Sequence, residues 1–221
     1  MKIFLVGGAV RDEILNIQSS EKDWVVIGAS KKEMLQKGFI SVGKSFPVFL
    51  HPDTKEEYAL ARKEVKTGLG HKDFEFDVNK KITIEEDLLR RDLTVNAIAK
   101  TEAGELIDPY GGLKDIENKV LRHISDAFKE DPLRVFRVAR FYTYLSKFDF
   151  KIYGETISFM KEICASGELN NLSFERIWME TQKCLSMKDS HLYFEILNEI
   201  GALSCFTSEL KKFSKNIISL K

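Results

Sequence analysis

The sequence has few cysteines and no long apolar segment. Its 221 residues include three cysteines, and their odd number and wide spacing argue against both a disulfide framework and a zinc site. No apolar run approaches the roughly 18 residues that a membrane-spanning helix needs. The apolar start is interrupted at Gly7-Gly8, which indicates a first strand rather than a signal sequence. We therefore expect a cytoplasmic protein with reduced thiols and no membrane partner.

The sequence also has no net charge. It contains 34 basic and 34 acidic residues, so bulk charge cannot attract a nucleic acid and any such binding must use local clusters. Hydrophobic residues make up 43% of the chain, which is enough for a buried core. The length exceeds that of an ordinary compact domain and predicts one mixed domain followed by a helical extension.

The first half of the chain alternates between strand and helix patterns. Ser30 and Glu33 have the spacing of a capping box and predict the start of a helix, and another helix is predicted from Val10. A loop is predicted for residues 63–80, where the periodicity is weak, and a helical pattern runs from Ile84 to Ile98. The predicted strands cover residues 3–6, 24–27, 39–42, 48–50 and 57–61.

From Asp131-Pro132 onward the pattern is mainly helical. This change places the predicted domain boundary near residue 125. The predicted fold class is α+β, with a small mixed sheet and flanking helices in residues 1–125 and a helical region in residues 126–221.

Gly7-Gly8 lies between the first predicted strand and the following helix. Two glycines let the backbone approach an anion closely, and the first turn of a helix favours phosphate. Arg11 on the next turn can add a charged donor to the same phosphate, although a surface salt bridge is the simpler explanation for it.

Three acidic residues are candidate metal ligands. Glu21 and Asp23 are two apart at the start of a strand, so their side chains point to the same face. Paired carboxylates on one face suit Mg²⁺, although a pair of solvated acids is an equally good interpretation from these residues alone. Glu57, or its neighbour Glu56, can add a third carboxylate, as two-metal phosphoryl transfer requires.

A second group of candidates follows the strands. Arg90, Arg91 and Asp92 are predicted to lie within a helix, where only one of the two arginines can share a site with Asp92 or Asn96. A helical surface network is the alternative.

A row of arginines begins at residue 134. Arg134, Arg137 and Arg140 recur every three residues along one helix side, and we expect this unpaired row to need an anion such as a triphosphate or RNA. Asp131 before Pro132 is a natural N-cap, and an Asp–Arg pair also has the donors and acceptors that read a base edge.

Five motifs together resemble the class II tRNA nucleotidyltransferases, which are the CCA-adding enzymes and their bacterial poly(A) polymerase relatives. The motifs are GGAVRD, the acid-x-acid pair before a strand, RRDLTVNA, IDPYGG and EDPLRVFRVARF, in this order. The intervening segments FPVFLHPDTKEEYALAR and VLRHISDAF are more similar to the bacterial CCA-adding branch, and the similarity covers roughly residues 1–205.

The resemblance implies a polymerase-β-like head followed by a helical neck, body and tail. It also implies an enzyme that adds C, C and A to the tRNA 3′ end from CTP and ATP without a template, with Mg²⁺ and with release of pyrophosphate. In this interpretation Glu175-Arg176 matches the neck motif that braces the base-reading residues.

The resemblance further implies a role for each matching residue. Gly8 and Arg11 hold the nucleotide phosphates, and Glu21 and Asp23 bind the metal. The remaining predicted nucleotide contacts are Arg91, with Asp92 and Asn96 near the ribose, and Asp131, Arg134, Arg137 and Arg140 as the protein template for C or A.

Two features depart from the family pattern. Glu21 replaces the first Asp of the Asp-x-Asp metal motif, and a misplacement of the carboxylate by about 1 Å can cost on the order of 10²-fold in rate. The chain also ends where the family's body begins, so we expect the parts that grip the tRNA elbow to be absent or supplied by a partner chain. Two alternatives stay open: a poly(A) polymerase that uses only ATP, and a truncated relative that binds nucleotide or RNA with little or no catalysis.

Overall fold

The structure is a computed structural model that describes residues 1–18, 22–42, 48–66, 74–77 and 79–205. It divides into two compact units, Met1–Glu130 and Asp131–Lys221. None of the described helices is long and apolar enough to cross a membrane.

The first unit contains ten of the described strands and four short α-helices. The strands are β1 (Lys2–Val6), β2 (Asp23–Ile27), β3 (Ile40–Ser41), β4 (Val48–Leu50), β5 (Glu57–Leu60), β6 (Lys63–Lys66), β7 (Phe74–Asp77), β8 (Ala99–Thr101), β9 (Leu106–Ile107) and β10 (Val120–Leu121). The helices are α1 (Gly8–Ile14), α2 (Lys31–Gln36), α3 (Ile84–Leu89) and α4 (Gly112–Glu117), and 3₁₀ turns cover Thr94–Asn96 and Asp126–Glu130.

Seven of these strands form one mixed sheet, which confirms the α+β prediction. Its strand order is β3-β4-β5-β2-β1-β8-β9. The pairing of β2 with β5 is parallel, whereas β1 pairs antiparallel with both β2 and β8. The antiparallel pairing of β1 with β8 therefore brings the segments after β1 and before β8 to the same edge.

Both faces of the sheet are covered, and neighbouring residues of β2 show why. Val25 faces a core that includes Leu88 of α3, and Val26 faces a second core that includes Met34 of α2. All four side chains are at most 2% exposed. Alternation along the strand thus gives the sheet an α3 face and an α2 face.

The second unit is helical over most of its described length. Helix α5 packs against both α7 and α8. The elements are α5 (Leu133–Leu145), β11 (Lys151–Ile152), α6 (Gly154–Ser166), α7 (Phe174–Leu185) and α8 (His191–Glu199), with 3₁₀ turns at Ser146–Phe148, Glu168–Asn171 and Ala202–Cys205.

The capping box predicted at Ser30 is confirmed. Its hydroxyl accepts from the Glu33 N–H, and the Glu33 carboxylate accepts from the Ser30 N–H at 2.8 Å. The loop predicted for residues 63–80 is wrong where the structure describes it, because β6 and β7 form an antiparallel pair, with Lys63 opposite Asp77 and Lys66 opposite Phe74. That pairing depends on backbone hydrogen bonds between segments, which the weak side-chain periodicity of this stretch does not reveal.

The long helix predicted from Ile84 is also wrong beyond its first turns. Helix α3 ends at Leu89, and the chain then bends through Arg91 and Asp92 into a 3₁₀ turn. The Asp92 carboxylate accepts from the N–H of Leu93 at 2.9 Å, a local bond that replaces helical pairing. Arg91 and Asp92 consequently lie in a loop next to the sheet edge.

Candidate functional site

One row of backbone positions crosses four strands at the edge of the sheet. Val6 pairs with Ala99 on one side and with Asp23 on the other, and Asp23 pairs with Glu57 in parallel register. Val6 is the last residue of β1, so the Gly7-Gly8 turn begins at this row. The N–H of Gly7 donates to the carbonyl of Ile98 at 3.2 Å, which fixes the turn beside β8.

The two exposed acids of this row face the same side of the sheet. Asp23 is two residues before Val25, and Glu57 is two before Ala59, so both lie on the α3 face. Glu56 instead accepts a hydrogen bond from the indole N–H of Trp24 at 2.9 Å, on the α2 face. Of the two alternatives weighed for the third carboxylate, the geometry favours Glu57.

The chemistry of this edge suits a divalent cation, because carboxylate oxygens are hard ligands. Glu21 lies outside the described residues. Within the described part of the chain, no group of three or more His, Cys, Asp or Glu side chains is close enough to hold a metal ion. The acids that the structure places on this edge are Asp23 and Glu57.

The Gly7 turn is packed closely against Arg91. Gly7 has φ of 73°, and a Cβ at this position would lie 2.9 Å from Nη1 of Arg91. A larger residue would therefore be strained and would push the guanidinium away. Gly8 is less restricted, because its Cβ would lie 3.4 Å from Nη2 of Arg11, which is close to an ordinary van der Waals contact.

A buried hydrogen-bond network lies beneath the turn. Nη1 of Arg11 donates to Oδ1 of Asn96 at 2.6 Å, and Nδ2 of Asn96 donates to Oδ1 of Asp92 at 3.1 Å. Arg11 also forms an ion pair with Asp12 at 2.7 Å and is 3% exposed. The network ties α1 to the loop after α3. Arg11 is thus a buried, paired residue rather than a surface salt bridge, and its predicted phosphate contact stays a prediction.

Asp87 on α3 holds both arginines of the RRD motif. Its carboxylate is fully buried and pairs with Nη2 of Arg90 at 2.8 Å and with Nη2 of Arg91 at 3.3 Å. Burial alone would raise the pKa of Asp87, but the charges of the two arginines outweigh it and hold the pKa below its usual value.

Arg91 combines a nearly buried charge with an unused donor. Its side chain is 18% exposed, and its Nε is the buried side-chain nitrogen that has no hydrogen-bond partner among the described residues. Burial lowers the pKa of Arg91, while the charges of Asp87 and Asp23 act in the opposite direction. The interaction with Asp23 places Arg91 near the acidic row, which consists of Asp23 and Glu57. The Nε–H of Arg91 can donate to an added anion.

The arginine row in the second unit is not unpaired, which corrects the expectation from its spacing. Glu180 on α7 accepts from Nε of Arg140 at 2.5 Å and lies 3.7 Å from Nη1 of Arg137. The protein therefore supplies an anion for these two residues itself. Arg134 is buried, at 6% exposure. Sequence spacing could not reveal Glu180, because it lies in another helix.

Asp131 is held at the start of α5. Its Oδ1 accepts from the N–H of Leu133 at 3.1 Å, and its Oδ2 accepts from Nη2 of Arg176 at 2.9 Å. The helix begins at Leu133 rather than at Pro132, yet Asp131 still satisfies one free N–H of the first turn. The contact with Arg176 agrees with the bracing role predicted for Glu175-Arg176, which stays a prediction.

Two family models match the sequence. The model described as the poly A polymerase head domain matches residues 3–122, and the model described as a probable RNA and SrmB-binding site of polymerase A matches residues 149–213.

Curated relatives match nearly the whole chain. The CCA-adding enzyme of Alteromonas mediterranea is 56% identical over 211 residues, which is 96% of this chain and 53% of the relative. The multifunctional CCA protein of Haemophilus influenzae is 55% identical over 95% of this chain and 50% of the relative. The chain thus spans about half the length of the curated relatives it matches.

Solved structures share the fold. The crystal structure of the Bacillus stearothermophilus CCA-adding enzyme in complex with CTP has a TM-score of 0.77 at 28% identity, over 92% of this chain and 49% of that chain. The Thermotoga maritima CCA-adding enzyme complexed with tRNA has a TM-score of 0.72 at 25% identity, over 92% of this chain and 48% of that chain.

Proposed function

Because this chain belongs to the poly A polymerase head-domain family, in the branch of the CCA-adding enzymes, we propose that it is a tRNA nucleotidyltransferase. It adds C, C and A to the tRNA 3′ end from CTP and ATP and releases pyrophosphate. The observation that carries the proposal is the row at the sheet edge, where the Gly7 turn, Asp23 and Glu57 lie side by side with Arg91 nearby.

The glycine turn and Arg91 are the proposed contacts of the triphosphate. A close-approaching backbone and a guanidinium with a free Nε–H are both suited to phosphate oxygens. Gly8 and Arg11 remain the predicted phosphate contacts of the turn, with Arg11 also anchoring it. Asp92 and Asn96 are the predicted ribose contacts, and their mutual hydrogen bond supports a joint role.

Mg²⁺ is the proposed cofactor of this nucleotidyltransferase. Asp23 and Glu57 would hold it together with Glu21, and all three are the oxygen ligands that this cation prefers. A cation held there would lower the pKa of the attacking hydroxyl and neutralise charge on the leaving group. The 3′-hydroxyl of tRNA then attacks the α-phosphate in line, so no side-chain nucleophile is needed.

Asp131 and Arg134 are proposed to choose between C and A, with Arg137 and Arg140 assisting. Support comes from the chemistry of an Asp–Arg pair, which can accept from an exocyclic amine and donate to ring acceptors. Alanine at either Asp131 or Arg134 should change the ratio of CTP to ATP incorporation more than it changes triphosphate affinity. A uniform loss of affinity with unchanged selectivity would remove this role.

The test of the function is nucleotide incorporation into tRNA that lacks its 3′ CCA end. The chain should add two C residues with CTP alone and complete CCA when ATP is also present. Long tails made from ATP alone would instead identify a poly(A) polymerase. Absence of incorporation with Mg²⁺ or Mn²⁺, restored by Glu21→Asp, would identify a nucleotide-binding relative whose metal site is displaced.

Participation of a partner chain in nucleotide addition stays a prediction. Comparing incorporation by the chain alone with incorporation after addition of a cell extract from its source tests it. Equal rates in both assays would show that no partner is required.

A further inference from the structure

We propose that Asp87 is a positioning residue that holds Arg91 against the Gly7 turn, in the orientation that meets the nucleotide phosphates. This inference rests on the proposed function, because it assigns a task to a residue next to the same site. No role follows for Asp87 from the motifs in the sequence, and its side chain is fully buried.

Asp87 lies between two charged partners. Its side chain is 0% exposed, while those of Arg90 and Arg91 are 17% and 18% exposed. Asp87 comes three and four residues before the arginines, so the end of α3 brings all three side chains together. A buried carboxylate with two guanidinium partners restricts their rotamers far more than water would.

Arg91 is also confined on its other side, by the Gly7 turn. Its Nη1 is the atom that a Cβ on Gly7 would approach to 2.9 Å, and its Nη2 is the atom that contacts Asp87. One end of the guanidinium is thus packed on the turn and the other is tied to α3. Among the described residues, Nε of Arg91 is the buried side-chain nitrogen without a hydrogen-bond partner.

Asp87 is also connected to the strand that carries one acid of the acidic row. Oδ1 of Asp87 also accepts from the backbone N–H of Arg62 at 3.2 Å. Arg62 follows β5, whose first residue is Glu57. One carboxylate therefore links the segment after the strand that carries Glu57 to Arg91.

The test compares Asp87→Asn with Glu86→Gln in the full chain. Asparagine keeps the shape and an acceptor for Arg62 but removes the charge that holds Arg91. Glu86 is a matched control, because its half-buried carboxylate lies on the same helix, accepts from the backbone N–H of Thr83 and pairs with Lys63. We expect Asp87→Asn to raise the KM for CTP by roughly 10²-fold, since misplacement of a contact group by about 1 Å has effects of that size. Glu86→Gln should change it less than twofold.

A double-mutant cycle separates positioning from folding. If Asp87 acts through Arg91, then Asp87→Asn should change the KM for CTP little once Arg91→Ala is present. Equal losses of affinity in the two backgrounds would overturn the proposal. If Asp87→Asn does not fold, Asp87→Glu keeps the charge and displaces the carboxylate by one methylene, and it should raise KM in the same Arg91-dependent way.

A crystal structure of Asp87→Asn without nucleotide gives a readout that does not depend on activity. Arg91 should move away from Gly7 in the variant and stay in place in Glu86→Gln. An unmoved Arg91 would overturn the positioning role even if the chain transfers nucleotides. Failure of the native chain to bind CTP, with Arg91 displaced in the variant, would instead count against the proposed function alone.

Discussion

In both units of the molecule a buried carboxylate pairs with two arginines, and the two clusters differ in how far apart their members lie in sequence. Asp87 pairs with Arg90 and Arg91 at the end of the same helix. Glu180 pairs with Arg140 across forty residues of sequence, from α7 to α5. The first cluster orients side chains beside the candidate site, whereas the second joins two helices.

This difference predicts different consequences when the charge is removed. Without Asp87, Arg91 is free to leave the glycine turn, so nucleotide affinity should change most. Without Glu180, Arg140 keeps its position 4.1 Å from the Phe141 ring but loses its carboxylate, so the α5–α7 packing should weaken. The main effect of losing the charge is thus expected in nucleotide affinity for the first cluster and in stability for the second.

The largest expected effect lies in the first unit, at the acidic row. Asp23→Asn should reduce nucleotide incorporation by on the order of 10³-fold, because it removes a charged ligand from the proposed cation site. Single-turnover incorporation of labelled CMP measures the loss. The matched control is Glu56→Gln on the opposite face of the sheet, which should retain nearly full activity. Equal losses in both variants would show that the α3 face has no special role.

The next effect concerns the second cluster. Glu180→Gln should lower the free energy of unfolding by about 3 kcal/mol, because it leaves two partly buried guanidinium groups without their carboxylate. Urea denaturation followed by circular dichroism measures this change. Glu195→Gln on the exposed side of α8 is the control and should stay within about 0.5 kcal/mol of the native chain. A Glu180 variant as stable as that control would contradict the stabilising role.

The contribution of the Asp87 cluster to stability should depend on pH. The pKa of Asp87 is lower in the folded chain than its usual value, so its charge stabilises the fold above the unfolded pKa of about 3.9. That contribution is lost as the pH falls through the folded pKa. Native chain and Asp87→Asn should therefore differ in urea midpoint at pH 7 and converge under acid conditions. A difference that does not depend on pH would show that the charge of Asp87 is not responsible.

The smallest expected effect tests an uncharged contact in the second unit. The Thr181 hydroxyl donates to the carbonyl of Ile177 at 2.9 Å, so the buried Tyr193 hydroxyl, 3.0 Å away, donates to Thr181. Tyr193→Phe removes this bond without leaving the Thr181 proton unpaired and should cost about 1 kcal/mol. Urea denaturation measures it. If Tyr193→Phe lowers the free energy of unfolding as much as Glu180→Gln does, then charge does not explain the larger effect expected at the α5–α7 contact.

The sequence predicted the elements whose signal is local. The strand predicted at residues 24–27 and the capping spacing at Ser30 involve neighbouring residues, and the structure confirms both. The spacing of Asp87 to Arg90 and Arg91 was also visible in the sequence, but nothing local marked that carboxylate as buried. Burial depends on the sheet that α3 covers.

The parts that could not be predicted depend on contacts distant in sequence. The partner of Arg140 is on another helix, and the hydrogen bond from Arg11 to Asn96 joins residues 85 apart. The end of α3 at Leu89 was missed because the RRDLTVNA segment has helical spacing. Its side chains bond to each other and to α1 rather than continuing the helix.

The central claim is that the sheet edge with Gly7, Asp23 and Glu57 binds the triphosphate of the incoming nucleotide. A crystal structure of the chain with Mg²⁺ and a non-hydrolysable CTP analogue tests it most directly. The account predicts phosphate oxygens within hydrogen-bonding distance of the Gly7-Gly8 turn and of Nε of Arg91, and a cation bound by Asp23. A triphosphate bound elsewhere, with Nε of Arg91 still lacking an acceptor, would contradict it.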